Sequence, residues 1–167
     1  MTVMSPIRPP RGAASVGRLV DLDPVEAGAV LYLRLSWNNP QALGALSADF
    51  TPILGAVAAE QAAANFHQLS SLCQTHARRA LCPHSLGCAC LGADEACFAQ
   101  MVASAAEGAR EEALMMALLL VRADFAPLLA GLAQDAGLAL RRMSMRAATD
   151  IHSPAAASPG RGSATLH

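Results

Sequence analysis

Phe66-His67-Gln68-Leu69-Ser70-Ser71-Leu72-Cys73-Gln74-Thr75-His76-Ala77-Arg78-Arg79 decides how this chain folds. Phe66, Leu69, Leu72, Cys73 and His76 recur at steps of three and four, which lines up one inward face of a helix. Arg78 and Arg79 close the run, where cations complement the helix dipole. Upstream, only Gly55 interrupts the pattern as far back as Asp49-Phe50-Thr51-Pro52, a helix-start signal. One long helix from Asp49 to about Arg79 is therefore expected, preceded by a short helix over 41–46.

Working outward, Asp23-Pro24-Val25-Glu26 carries a cap, a first-turn proline and a capping-box carboxylate. It opens a helix reaching about Trp37, stopped by Asn38-Asn39-Pro40. Downstream, Pro83, Gly87 and Gly92 mark residues 81–92 as a loop. Gly92-Ala93-Asp94-Glu95 opens the next helix with Glu95 at the capping-box position; Asp94 and Glu95 fall in its first turn, where carboxylates complement the dipole, and Gly108 ends it. The run Ala113–Val121 is apolar nearly all round and should be the most buried element. Asp124-Phe125-Ala126-Pro127 starts the last helix, which should end near Leu140. It echoes Asp49-Phe50-Thr51-Pro52, and both could be one capping device. The fold expected is an all-α, single-domain helical bundle of five or six helices over 21–140. Residues 1–20 are expected to be a flexible basic arm and 141–167 a disordered tail.

Composition agrees. The 167 residues suffice for one core, and 53% hydrophobic against 15% charged residues excludes wholesale disorder. Aromatics are only 4%, so Leu, Ala, Val and Met must fill the interior. Every basic residue is arginine, which with abundant Ala, Gly and Pro is the bias of a GC-rich bacterial genome. Residues 1–20 carry a net charge of +3, residues 21–140 of −7 and residues 141–167 of +3. An acidic body with short basic ends has no basic face to follow a phosphate backbone, which argues against nucleic acid. No apolar run approaches the roughly 20 residues that a bilayer demands. The N-terminus shows no apolar leader, so a cytoplasmic location is expected.

Chemistry concentrates between Cys73 and Cys97, which hold all five cysteines and two of the five histidines. Thiolates and imidazoles are the ligands of zinc, four to a structural site. Cys73 and His76 share one helix face, and Cys88 and Cys90 flank Ala89 in the loop. The preferred metal quartet is Cys73, His76, Cys88 and Cys90, with Cys82 and His84 as substitutes. Zinc is the first expectation and an iron–sulfur cluster the second. Cys97, in step with Met101, reads as core. The competing expectation is that the thiols are free and simply packed, since free cysteine buries readily. Walker and dinucleotide loops, Gly-x-Ser-x-Gly elbows and His-Glu-x-x-His pairs do not occur.

Leu86-Gly87-Cys88-Ala89-Cys90-Leu91 resembles the Cys-x-x-Cys-x-Cys loop of iron–sulfur redox sensors related to the mercury-resistance regulators. Ser85 stands where that loop has its first cysteine, Cys97 falls one residue late, and the family's winged helix has no counterpart. The likeness covers about a dozen residues and implies, at most, thiol or cluster redox sensing.

Three functions follow as expectations. The first is a small non-enzymatic interaction or regulatory module with a Cys/His zinc site and a protein partner. The second is a thiol or iron–sulfur redox sensor using residues 82–97. The third is a metal-free structural or partner-binding bundle.

Overall fold

The computed structural model describes residues 10–39 and 41–152. Among these residues the chain forms six helices: α1 (Pro24–Asn38), α2 (Leu43–Leu54), α3 (Ala56–Thr75), α4 (Ala93–Glu107), α5 (Arg110–Leu120) and α6 (Ala126–His152). Two short strands, β1 (Ser15–Arg18) and β2 (Cys90–Gly92), pair antiparallel with Arg18 opposite Cys90 and Ser15 opposite Gly92. The all-α bundle is as expected.

Helix α1 starts as its sequence dictates. The Asp23 carboxylate accepts the Val25 and Glu26 amides at 2.8 and 2.9 Å, and Glu26 reaches back to the Asp23 amide at 3.2 Å. Helix α4 ends on Gly108 at φ 85°, a left-handed geometry that glycine adopts at no steric cost.

The single helix expected from Asp49 to Arg79 is instead two, α2 and α3, hinged at Gly55 with φ 79°. Asp49 does not cap. It lies inside α2 and accepts the Tyr32 hydroxyl at 3.0 Å, tying α2 to α1. Pro52 is likewise inside α2, so the likeness to residues 124–127 is not one repeated device. Asp124 sits ahead of α6 and pairs with Arg122 at 2.7 Å.

The core sits around α4, which packs on α1, α5 and α6, while α2 and α3 pair as a hairpin whose α3 also meets α6. Four of the six aromatics meet in the core. Tyr32 meets Phe50 and Phe66 edge-on at 5.4 and 5.8 Å, and Phe66 meets Phe98 at 6.3 Å. Such edge contacts add about 0.5–1.5 kcal/mol each beyond burial. A glycine lets α6 approach α4 closely: a Cβ at Gly137 would stand 2.6 Å from the Val102 carbonyl.

Helix α5 is not the most buried element. Met115 and Leu119 are 64% and 59% exposed, and its inward side is chiefly Ala113, Ala117 and Leu120. Helix α4 takes that place, with Phe98, Met101 and Val102 fully enclosed.

Both boundaries also move. Residues 10–21 are not a free arm: β1 joins β2, and the Ala93 amide bonds the Ala14 carbonyl at 3.0 Å. At the other end α6 runs past Leu140 to His152. The rest of the expected arm and tail, residues 1–9 and 153–167, lies outside the described residues. None of the described helices is long and apolar enough to cross a membrane.

Candidate metal centre

The segment from His76 to Gly92 is held at both ends. Behind α3, the Arg78 amide bonds the Leu120 carbonyl and the Arg122 amide bonds the His76 carbonyl, at 3.1 and 3.0 Å. At its far end β2 alternates faces: Leu91 is buried with Val30 and Ala99, which turns Cys90 to the opposite side.

Two carboxylates at the start of α4 organise what lies between. Asp94 accepts both terminal nitrogens of Arg79, at 3.0 and 2.5 Å, and the Cys82 amide at 3.0 Å. Glu95 accepts Nε and Nη2 of Arg34 at 2.7 and 2.8 Å, the His84 amide at 2.8 Å and the Gly92 amide at 2.9 Å. Arg34 also donates Nη1 to the Ser85 and Cys88 carbonyls at 3.1 and 2.7 Å, and Nη2 to the Cys90 carbonyl at 2.7 Å. These contacts use all five N–H groups of the guanidinium, and the pair is wholly buried. The bond from the Gly92 amide is the capping-box contact expected of Glu95; the reach of both carboxylates further into the loop was not foreseen. Arg34 was not foreseen either, although its place one residue after Leu33 and four after Val30, both inward-facing, marks it as a charge on a buried stripe.

Three ligand atoms converge on this scaffold. His84 Nδ1 lies 3.3 Å from Cys90 Sγ and 3.5 Å from Cys88 Sγ, and all three groups are half-buried. His84 Nε2 lies 3.0 Å from the Ala13 carbonyl. A carbonyl only accepts, so Nε2 carries a proton, which leaves Nδ1 as the nitrogen that can turn a lone pair toward the sulfurs. A histidine ligand oriented by a carbonyl on its second nitrogen is the usual arrangement in metal sites. For ligand bonds of about 2.0–2.1 Å to nitrogen and 2.3 Å to sulfur, a tetrahedron has N–S edges of about 3.6 Å. The observed separations are close to that edge. Cys88 and Cys90 are joined as a disulfide, with Cα atoms 5.5 Å apart.

Gly92 makes room for the ring: a Cβ there would stand 2.9 Å from Cδ2 and Nε2 of His84. Residues 10–14, expected to be loose, supply the carbonyl that fixes the tautomer.

The preferred quartet is thus not assembled. Cys88 and Cys90 do meet an imidazole, but it is that of His84, the substitute. Cys73 lies in the core, where burial first and neighbouring Cys97 second push its thiol up to about 12. Its place on the inward stripe of α3 prevails over any turn toward the loop. His76 stacks on Phe125 with centroids 3.6 Å apart. Cys82 points its sulfur toward the Ala80 carbonyl at 3.9 Å, apart from the cluster. Cys97, read as core, places Sγ 3.6 Å from the Met116 carbonyl. Burial, then Asp94, raise that thiol to about 11, against the opposing pull of Arg79.

Such a set can bind a thiophilic ion or exchange dithiol for disulfide. Comparison with protein-family models, curated proteins and solved structures finds no match to this chain.

Proposed function

We propose that this chain is a small helical metal-binding module. It holds one thiophilic divalent ion, zinc first, on His84 Nδ1, Cys88 Sγ and Cys90 Sγ. The observation that carries the reading is the convergence of His84 Nδ1 on both sulfurs, at 3.3 and 3.5 Å, while Nε2 meets the Ala13 carbonyl at 3.0 Å. Two thiolates and one imidazole favour zinc over calcium or magnesium, which take oxygen ligands. Among the described residues no fourth His, Cys, Asp or Glu joins the group. Water or a donor from a protein partner would complete the tetrahedron. Binding would exert its effect through the loop, whose carbonyls Arg34 ties to α1 and α4, in keeping with a regulatory or interaction role.

The test is a cobalt and zinc titration of the reduced full-length chain. One equivalent should bind with the visible absorption of thiolate-bound tetrahedral cobalt, and zinc should displace it. Absence of binding by the reduced chain, or equal binding by the Cys88→Ser/Cys90→Ser double variant, refutes the reading.

A further inference from the structure

We infer that the site is gated by oxidation: the dithiolate of Cys88 and Cys90 holds the metal, and its conversion to the disulfide releases it. This inference rests on the metal reading above. It adds what that reading leaves open, namely what controls occupancy.

The two states cannot coexist. A disulfide sets its sulfurs about 2.05 Å apart and leaves neither with a thiolate charge. Two thiolates on a tetrahedral ion with 2.3 Å bonds lie about 3.8 Å apart. The fold nevertheless accommodates both with little backbone movement. Cα atoms of Cys88 and Cys90 are 5.5 Å apart, within the range that a disulfide spans. Both residues' carbonyls are clamped by Arg34 at 2.7 Å, so only the side chains need rotate. His84 Nδ1 faces the sulfurs and is kept there through Nε2 and Ala13 in either state.

This disulfide is also badly suited to a structural role. It joins residues only two apart, and closing so short a loop removes little entropy from the unfolded chain. The bundle is held elsewhere, by its apolar core and by the Arg34–Glu95 pair. Both sulfurs are partly accessible, which exchange chemistry requires, whereas Cys73 is enclosed.

The oxidant is a low-molecular-weight disulfide. One thiolate, that of Cys88 or Cys90, attacks a sulfur of the reagent, forms a mixed disulfide and expels one thiolate of the reagent. The second cysteine thiolate then attacks the protein sulfur of that mixed disulfide and expels the other half. Two electrons pass from the protein to the reagent, two reagent thiolates leave, and the divalent ion departs with its charge unchanged. A dithiol reverses the exchange, returning the ligands to the ion.

The experiment uses the full chain loaded with zinc after reduction and removal of the reductant. Oxidised glutathione is added, released zinc is read with a chromophoric chelator, and denatured thiols are counted. One zinc should leave as the count falls from five to three, with peptide mapping joining Cys88 to Cys90 and dithiothreitol restoring binding. The affinity difference should exceed the roughly 10–100-fold that loss of an outer-shell partner costs. If oxidised glutathione neither releases the zinc nor joins Cys88 to Cys90, the gate is wrong and the metal site stands; if the chain carrying that disulfide binds zinc within twofold of the reduced chain, the two thiolates are not its ligands and both readings fail. If the reduced chain binds none, the metal reading itself fails. Zinc release with the new bond at Cys82 or Cys97 also overturns the gate. The Cys88→Ser variant is the control: whatever zinc it keeps should be indifferent to the disulfide.

Discussion

Arg34 on α1 and Glu95 on α4, 61 residues apart in the chain, form a two-pronged ion pair with no solvent exposure on either side chain. Burial works against ionising Glu95, but hydrogen bonds from Arg34 and from the Gly92 and His84 amides outweigh it. With the charge of Arg34 added, they hold its carboxyl below the usual range. A buried pair seldom stabilises more than well-packed apolar residues would, because both ions surrender their hydration. Its value here is positional. The same guanidinium that faces Glu95 grips the Ser85, Cys88 and Cys90 carbonyls and so shapes the loop that carries His84.

Breaking one half of that pair is therefore expected to be costly. Arg34→Met leaves Glu95 charged and three loop carbonyls without their donor, a loss of about 3–5 kcal/mol in unfolding free energy by urea titration. Replacing both, as Arg34→Met with Glu95→Leu, should recover part of the stability but not the zinc affinity. Recovery of both together would show that the pair does not orient the loop.

Gly92→Ala tests the place of the imidazole. The new methyl runs into the His84 ring, so the imidazole must tilt away from Cys88 and Cys90. Zinc affinity should fall about 10–100-fold, as for lost outer-shell orientation, and stability by about 1–3 kcal/mol. Gly87→Ala, in the same loop but with nothing within 4 Å of the new carbon, should leave both within experimental error. Equal effects at the two positions would argue against a histidine ligand.

What could be read from the chain beforehand follows the range of the interactions. Caps are local: Asp23 with Glu26, and Gly108, act within a few residues, and each was legible. The hinge at Gly55 was not, because a glycine inside an otherwise helical pattern is tolerated in many helices and only the packing of α2 on α3 selects the break. The site was half legible. Cys88 and Cys90 stand out by spacing, but His84 gains its role from Ala13, 71 residues away, and the loop its shape from Arg34. No periodicity reports such partners. Cys73 and His76 share a helix face, yet burial of one and stacking of the other leave them apart from the loop.

The docking of residues 10–14 makes the third prediction. Gly12 packs against the Asp94 carboxylate and Arg79, where a side chain would collide with both. Gly12→Val should lift the segment, withdraw the Ala13 carbonyl from His84 Nε2 and free the ring to change tautomer. Zinc affinity should drop at least about tenfold while helical circular dichroism is retained. Unchanged affinity would mean that the carbonyl does not set the ligand.

Alkaline pH should weaken the fold through its buried thiols. The Cys73 thiol is raised from 9.0 to about 12, chiefly by burial, so the folded chain retains a proton that the unfolded chain releases. The stability associated with that neutral thiol is complete below about pH 9 and is lost as pH rises toward about 12. Within that window one such thiol contributes a slope of about 1.4 kcal/mol per pH unit. Cys97, raised from 9.0 to about 11, adds to it over a narrower range, and Tyr32, raised by burial and then by Asp49, adds at the upper end. Urea unfolding of Cys73→Ala should show a slightly less stable protein at pH 8 and a shallower decline between pH 9 and 11. A parallel decline would place the alkaline transition on other groups, and would remove the argument that Cys73 is held neutral in the core rather than available as a ligand.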